Sequence, residues 1–186
     1  GVLTSYAGVL TEITVPKEVN GITITSIGEN AFSSSSVVSV TLPSTVIEIG
    51  ANAFYGCPTI EWVSGFNVKR IGKYAFSNCA NLTRVIMQTG LKNIGIYAFE
   101  NCYNLTCITL PESVTSIGQY AFYQCFSLTT IIIPNSATSI GEYAFSSCRA
   151  AKSVTIGSGV TSIPSGAFYD CWELNEVICK STIPPT

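Results

Sequence analysis

The residues of this sequence with the greatest chemical potential are eight cysteines, six of which recur once per internal repeat. Each of the six follows a phenylalanine by three residues, at Cys57, Cys79, Cys102, Cys125, Cys148 and Cys171. Thiols spaced in this way could form a redox or metal-binding column, or disulfides if their Cα atoms stack within about 7 Å. Zinc needs ligands clustered at short spacing, which the sequence lacks. Because unpaired cysteine is among the most buried residue types, we predict small core residues that are mostly reduced thiols.

The groups available for acid–base catalysis are few. The sequence has no histidine, and Asp170 is its only aspartate. Glutamates such as Glu12, Glu48 and Glu100 occupy unrelated positions of the repeat, so the repeat brings no carboxylate pair together. A general acid or base must lie within hydrogen-bond reach of its substrate and partner. We therefore predict no catalytic residue, no metal site and no cofactor, and hence no enzyme.

An internal repeat of 22 or 23 residues organises the chain. It is marked by seven Ala-Phe pairs, whose phenylalanines are Phe32, Phe54, Phe76, Phe99, Phe122, Phe145 and Phe168. Four residues before each alanine stands an isoleucine, followed by glycine in six repeats and by Pro164 in the seventh. A period of this length is typical of a solenoid, whose stacked repeats share one continuous core.

After each cysteine the hydrophobic pattern has a period of two. In one repeat, Ile108 and Leu110 are predicted to point inward, and Cys107 and Thr109 outward. We predict eight short strands, centred on residues 13–15, 40–42, 63, 85–87, 108–110, 131–133, 154–156 and 177–179. The Ile-Gly-x-x-Ala-Phe segment is too short for a stable helix and predicts a tight, 3₁₀-like turn on the opposite face.

The outward strand positions vary from repeat to repeat and supply the candidate binding residues. Trp62 and Arg84 fall in the same column of adjacent repeats, with Glu61 beside them and Ile86 two residues further along the strand. Tryptophan and arginine are enriched among binding hot spots, so we predict a ligand-binding patch here. Alternatively, Trp62 covers an irregular coil created by a one-residue deletion after Val63.

Two further features of the predicted surface need an interpretation. Cys107, at an outward strand position, is the best candidate for a reactive thiol. The residue before Ala-Phe is tyrosine in four successive repeats, at Tyr74, Tyr97, Tyr120 and Tyr143. These rings are predicted to form a line on the convex side, either as a packing ladder that shields the core or as a contact for a sugar or a protein.

Composition excludes several classes of partner. The net charge is −2 and the nine basic residues are scattered, so nucleic acid is not an expected partner. The sequence contains no run of eighteen apolar residues, so no transmembrane segment is predicted, and the first residues lack the features of a signal peptide. If the protein is exported, we expect that its signal has been removed.

The repeat pattern Leu-x-x-Ile-x-Leu-Pro-x-Ser-Val-x-x-Ile-Gly-x-x-Ala-Phe-x-x-Cys, clearest between Leu105 and Cys125, resembles the BspA-type leucine-rich repeat. The resemblance implies a leucine-rich-repeat solenoid. This is a right-handed coil with one short parallel β-strand per repeat on the concave face and short turns or 3₁₀ segments on the convex face. A single domain would span residues 1–186, with a cap-like segment at 1–26, about seven repeats at 27–179 and a tail at 180–186. Prolines Pro184 and Pro185 in the tail would blunt the last sheet edge.

The same resemblance implies a function. Members of the family that this repeat resembles are generally secreted or cell-surface proteins of host-associated microbes that adhere to host matrix and to other cells. A protein-interaction or adhesion module is therefore expected, with an extracellular-matrix protein, a cell-surface protein or a glycan as partner. A structural spacer or stalk with no ligand of its own is the alternative. Where related repeats carry asparagine this chain keeps only Asn67, and hydroxyl groups such as those of Ser113 and Ser136 are expected to substitute in part.

Overall fold

A computed structural model describes residues 1–65, 67–88 and 90–181 of the chain. These residues wind into a parallel β-solenoid of about eight turns, and the described part of the chain contains no helix. The fold class implied by the repeat pattern is thus confirmed. In the described residues the strands are β1 (Val2–Leu3), β2 (Glu12–Thr14), β3 (Glu18–Val19), β4 (Ile22–Thr23), β5 (Ser26–Ile27), β6 (Ser39–Leu42), β7 (Glu48–Ile49), β8 (Trp62–Gly65), β9 (Arg70–Ile71), β10 (Arg84–Met87), β11 (Asn93–Ile94), β12 (Ser116–Ile117), β13 (Thr130–Ile133), β14 (Ser139–Ile140), β15 (Ser153–Ile156) and β16 (Glu176–Cys179).

The longer strands form one face of the coil, which we call the strand face. They pair in parallel as a four-stranded sheet, β10-β8-β6-β2, and a three-stranded sheet, β13-β15-β16. Their side chains alternate as the sequence predicted: in β13, for example, Ile131 and Ile133 are buried, while Thr130 and Ile132 are exposed. In β8, β10, β13 and β15 the period of two therefore identifies correctly which side chains enter the core. The last strand, β16, is the exception, because Val177 would point inward by the same alternation but is exposed.

The strand face is interrupted where the sequence predicted a strand at residues 108–110. Only an isolated bridge, between Arg84 and Cys107, joins this segment to β10, and the segment forms no regular strand. The inward phase is nevertheless right, since Leu110 is buried and Ile108 half-buried. Alternation specifies which side chains point inward, but it does not specify whether neighbouring backbones approach closely enough to form a hydrogen-bonded ladder.

The opposite side of the coil, the turn face, is more regular than the sequence suggested. Six of the seven repeated isoleucines, from Ile27 to Ile140, lie in two-residue strands, whereas Ile163 lies in no strand. These six strands and β1 pair in parallel in the order β1-β5-β7-β9-β11-β12-β14. The turns that follow do not form a 3₁₀ helix in the described residues. Instead, the amides of Tyr97, Phe99 and Asn101 donate to carbonyls of the next coil at 3.0, 2.7 and 2.9 Å. The Ala-Phe turn is therefore held by hydrogen bonds between coils in addition to longer ones within the coil, such as that from the Ala98 amide to the Gly95 carbonyl at 3.3 Å.

A stack of phenylalanine rings runs along the centre of the coil. The repeat phenylalanines from Phe32 to Phe145 are buried and nearly parallel, with neighbouring ring centroids 4.9 to 5.1 Å apart. Tyr6 extends the stack at one end at 5.2 Å, and Phe168 extends it at the other at 5.8 Å. Offset aromatic contacts of this kind add to the stabilisation from buried apolar area. The core is therefore one continuous column.

The two ends of the coil differ. Near the first end, β3 and β4 form an antiparallel pair within the segment expected to act as a cap. At the other end, every residue of β16 is exposed, with Val177 at 55% and Ile178 at 46%. The predicted role of Pro184 and Pro185 lies outside the described residues.

Candidate functional site

The four residues of the predicted binding patch lie together on the strand face. Trp62 and Arg84 are register partners in the adjacent strands β8 and β10, and Ile86 is paired with Ser64 in the same two strands. Glu61, Arg84 and Ile86 are exposed, and Trp62 is half-buried. The structure therefore places an indole ring, a guanidinium group, a carboxylate and an aliphatic side chain on one outward surface.

Backbone contacts fix the spacing of this patch. The carbonyl oxygen of Glu61 accepts hydrogen bonds from the amide and hydroxyl of Thr83 and from the amide of Arg84, at 2.9, 3.0 and 3.3 Å. In the described structure, the ion pairs are Arg70 with Glu48 and Arg149 with Asp170, so Glu61 and Arg84 do not form one with each other. Their charged groups are thus available to a partner.

The break in the strand face borders the patch. A cavity of about 220 Å³ lies between β10, which carries Arg84 and Ile86, and the segment containing Cys107 and Thr109. A second cavity of about 210 Å³ lies on the other side of that segment, against Thr130 and Ile132. No signal in the sequence separates this repeat from its neighbours, so these cavities could not be predicted.

The cysteine column lies inside the coil, as predicted. Five of its members are buried and Cys171 is half-buried. Each thiol donates a hydrogen bond to the carbonyl oxygen of the phenylalanine in the preceding coil, at 2.9 to 3.4 Å. Burial raises the pKa of the Cys102, Cys125 and Cys148 thiols. These cysteines therefore satisfy a buried carbonyl as well as filling space, a role that sequence reasoning missed.

We expect thiol reactivity to separate the surface cysteines from the column. Cys107 and Cys179 are exposed, whereas the column thiols are shielded from solvent. Burial also raises the pKa of the column thiols from Cys79 to Cys171 and so disfavours their thiolates. Hydrogen bonding with Cys79 lowers the pKa of Cys57 to about 7, but the Cys57 side chain is fully buried and is therefore inaccessible to the reagent. Titration of the native protein with a chromogenic disulfide should show about two rapidly reacting thiols. The double variant Cys107→Ser, Cys179→Ser should show none. Under non-reducing denaturing conditions all eight should react, and a lower number would reveal disulfides.

The tyrosine column forms the predicted line of rings. Tyr74, Tyr97, Tyr120 and Tyr143 stack at 4.8 to 5.1 Å with interplanar angles of 9° or less. All four are half-buried, and their φ angles lie between 54° and 56°. A left-handed conformation costs a bulky residue about 1–2 kcal/mol. Stacking offsets this cost, and the packing interpretation accounts for most of the column.

A second polar and aromatic cluster was missed by sequence reasoning. The guanidinium of Arg149 lies 4.8 Å from the ring centroid of Phe126 and 4.3 Å from that of Trp172. It also pairs with the carboxylate of Asp170 at 3.3 Å, and the indole nitrogen of Trp172 donates to the same carboxylate. The signal was present in the sequence, because the position after the cysteine reads Tyr103, Phe126, Arg149 and Trp172 in four successive repeats.

Asparagine and hydroxyl side chains bind the coils together, as expected from the repeat. Asn67 donates to the carbonyl of Ser44 at 2.7 Å, and the hydroxyls of Ser113 and Ser136 donate to carbonyls of the preceding coil at 2.8 and 2.6 Å. An unpredicted amide contact joins Asn101 to Asn78 at 2.8 Å.

The described residues contain neither a cluster of metal-binding side chains nor a helix suited to crossing a membrane. No group of three or more cysteine, aspartate or glutamate side chains is placed to hold a metal ion within residues 1–65, 67–88 and 90–181. In the same residues no helix has the length and apolar character needed to span a bilayer.

Comparisons with known proteins agree with this architecture. The family model for the BspA type leucine rich repeat region matches residues 5–127 and 69–184, with six copies. A leucine-rich repeat protein of T. pallidum has 30% sequence identity and a TM-score of 0.72 over 96% of this chain and 75% of that protein. One from Bacteroides ovatus has 32% identity and a TM-score of 0.81 over 89% of this chain, which spans only 45% of that protein.

A third solved structure supports the fold alone. A leucine rich cell surface protein of Faecalibacterium prausnitzii has 21% identity and a TM-score of 0.52, covering 97% of this chain and 90% of that protein. No curated protein sequence matches the chain significantly. The repeat columns, the parallel coil and a family match extending from residue 5 to residue 184 lead to one conclusion. The chain belongs to the BspA-type leucine-rich-repeat family.

Proposed function

We propose that the chain is a protein-interaction module of a secreted or cell-surface protein, which adheres to macromolecules of a host or of neighbouring cells through the strand face. Leucine-rich repeats of this family are generally protein-interaction modules and generally not enzymes. The similar F. prausnitzii protein is described as a cell surface protein, which is in keeping with a surface location.

The observation that carries the proposal is the placement of Trp62 beside Arg84 in paired strands. Both are residue types that concentrate binding energy, and Ile86 adds an exposed apolar group, with 38% of its surface accessible. The patch therefore suits a protein partner with an apolar anchor flanked by a carboxylate, which would pair with Arg84. Glu61 would favour a basic group on the other side of that anchor.

Substitution of the patch tests this proposal. Binding is measured against a panel of immobilised extracellular-matrix proteins. Trp62→Ala and Arg84→Ala should each raise the dissociation constant about 30-fold, which corresponds to the loss of about 2 kcal/mol of binding free energy typical of a hot-spot residue. Ile132→Ala is the control and should leave the dissociation constant unchanged, because Ile132 is an exposed isoleucine of β13, outside the patch. If Trp62→Ala instead keeps its affinity but loses thermal stability, the role of Trp62 is to cover the irregular coil rather than to bind a partner.

A structural spacer is the second candidate, favoured by the continuous stack from Tyr6 to Phe168. Such a column resists bending and would set the reach of whatever it carries. The spacer function is favoured if no matrix protein binds this chain with micromolar or tighter affinity while a longer chain that includes it does bind. The patch would then not be a binding site.

A further inference from the structure

The tyrosine column ends abruptly in the last coil, and a cavity opens there. At the position equivalent to Tyr143 the next coil has Gly166, and a Cβ at Gly166 would lie only 2.2 Å from Cε1 of the Tyr143 ring. The ring of Tyr143 thus occupies the space that a side chain at residue 166 would need. At the opposite end of the column, the ammonium group of Lys73 lies 5.0 Å from the Tyr74 ring centroid and covers it. The end at Tyr143 instead borders a cavity.

A second irregularity shapes the sides of this cavity. The position after the repeat phenylalanine is Tyr123, Ser146 and Tyr169 in three successive coils. Tyr123 and Tyr169 are therefore two coil spacings apart, about 10 Å, with the small side chain of Ser146 between them. Tyr123 lies nearly perpendicular to Tyr120, with an interplanar angle of 84°, and Tyr169 nearly perpendicular to Tyr143, at 76°. The result is a recess walled by aromatic rings, which we call the tyrosine slot.

The tyrosine slot has a volume of about 370 Å³, near the lower end of the 300–1,000 Å³ usual for small-ligand sites. Tyr169, 67% exposed, stands at its rim, whereas Ser146 is buried. The slot is defined by Tyr123, Tyr143, Ser146, Arg149, Tyr169 and Asp170. It is therefore large enough for one or two sugar-sized units and open to solvent on one side.

The polar groups of the slot are arranged for a neutral ligand. Arg149 and Asp170 neutralise each other at 3.3 Å, and Asp170 also accepts a hydrogen bond from the hydroxyl of Ser147 at 3.1 Å. The amide of Gln124 donates to the Tyr123 hydroxyl at 3.1 Å. A charged ligand gains no net attraction from this neutralised pair, and a purely apolar ligand would leave tyrosine hydroxyls without partners. A ligand with both C–H faces and many hydroxyls satisfies the aromatic walls and the polar groups at once.

We propose that the tyrosine slot is a binding subsite for a neutral carbohydrate. A sugar ring would pack a C–H face against Tyr169 or Tyr123, while its hydroxyls exchange hydrogen bonds with the Gln124 amide and the Asp170 carboxylate. The slot lies on the turn face, away from the patch at Trp62 and Arg84, so the two sites can be tested separately. No covalent chemistry is required of it.

Binding of defined glycans tests the proposal. The protein is first screened on an array of neutral oligosaccharides of glucose, galactose, mannose and N-acetylglucosamine, with sialylated and sulfated glycans as anionic comparators. Calorimetry then measures the affinity for the neutral glycan that binds best. We expect the intact chain to bind a neutral glycan. Tyr169→Ala should weaken that binding at least tenfold, and Tyr123→Ala should do the same.

Matched controls separate a slot effect from a general loss of structure. Tyr55→Ala alters the same repeat position in an early coil, where the ring is 39% exposed, and should change glycan affinity less than twofold. Ile132→Ala, at an exposed position of the strand face, should likewise leave glycan affinity unchanged. The proposal is overturned if no neutral glycan binds, if only anionic glycans bind, or if Tyr169→Ala retains full affinity with an unchanged melting temperature.

Discussion

Replacing Phe99 with alanine is expected to lower the free energy of unfolding by about 4 kcal/mol, the middle of the range for a phenylalanine-to-alanine change in a packed core. The ring is fully buried and lies 5.1 Å from both Phe76 and Phe122, so its loss leaves a cavity lined by two phenylalanines. Urea denaturation monitored by circular dichroism measures the effect.

Position along the stack provides the control for this result. Phe168 is half-buried and has one ring neighbour, at 5.8 Å, so Phe168→Ala should cost clearly less than Phe99→Ala. Coils that contact only their neighbours make stability depend on local interfaces. Equal losses at Phe99 and Phe168, or a loss below about 1 kcal/mol at Phe99, would contradict a continuous ring column.

Gly95→Ala is expected to destabilise the fold by about 3 kcal/mol, because the coils touch backbone to backbone at this position. A Cβ on Gly95 would lie 2.5 Å from the carbonyl carbon of Gly72 in the preceding coil. Backbone cannot move aside as a flexible side chain can, so the coils must separate locally. The thermal midpoint and the denaturant midpoint should both fall.

The neighbouring residue supplies the control. Ile96 is 41% exposed, and Ile96→Ala should leave stability nearly unchanged. A Gly95→Ala protein as stable as the native one would mean that the coils lie further apart than the structure places them. The repeated Ile-Gly motif would then need another explanation.

Much of the architecture follows from the spacing of apolar residues. The phenylalanine and cysteine columns are predictable because a period of 22 or 23 residues places equivalent side chains one above another. The alternation after each cysteine likewise assigns Ile131 and Ile133 to the core. What periodicity cannot supply is the distance between backbones. The missing strand after β10 and the close approach at Gly95 both depend on that distance.

Surface geometry was partly accessible from the sequence. Counting repeat positions brought Trp62 and Arg84 together correctly, since parallel strands in register keep equivalent residues side by side. The Arg149 cluster could not be recognised from the repeat columns that keep one residue type, because it lies in a column whose residue type changes from repeat to repeat. The left-handed conformation of Tyr97 was also unexpected, because single-residue propensities favour asparagine or glycine there.

Distances between spin labels on the strand face test the coil arrangement most directly. Nitroxides would be placed at Thr41→Cys with Ile132→Cys, and at Thr41→Cys with Thr155→Cys, in a chain lacking the exposed Cys107 and Cys179. With one coil per repeat, these pairs are four and five strand spacings apart, which gives about 19 and about 24 Å. Distances that increase by one spacing per repeat are the expected result. Equal distances, or a larger one for the nearer pair, would contradict a coil in which each repeat adds one turn.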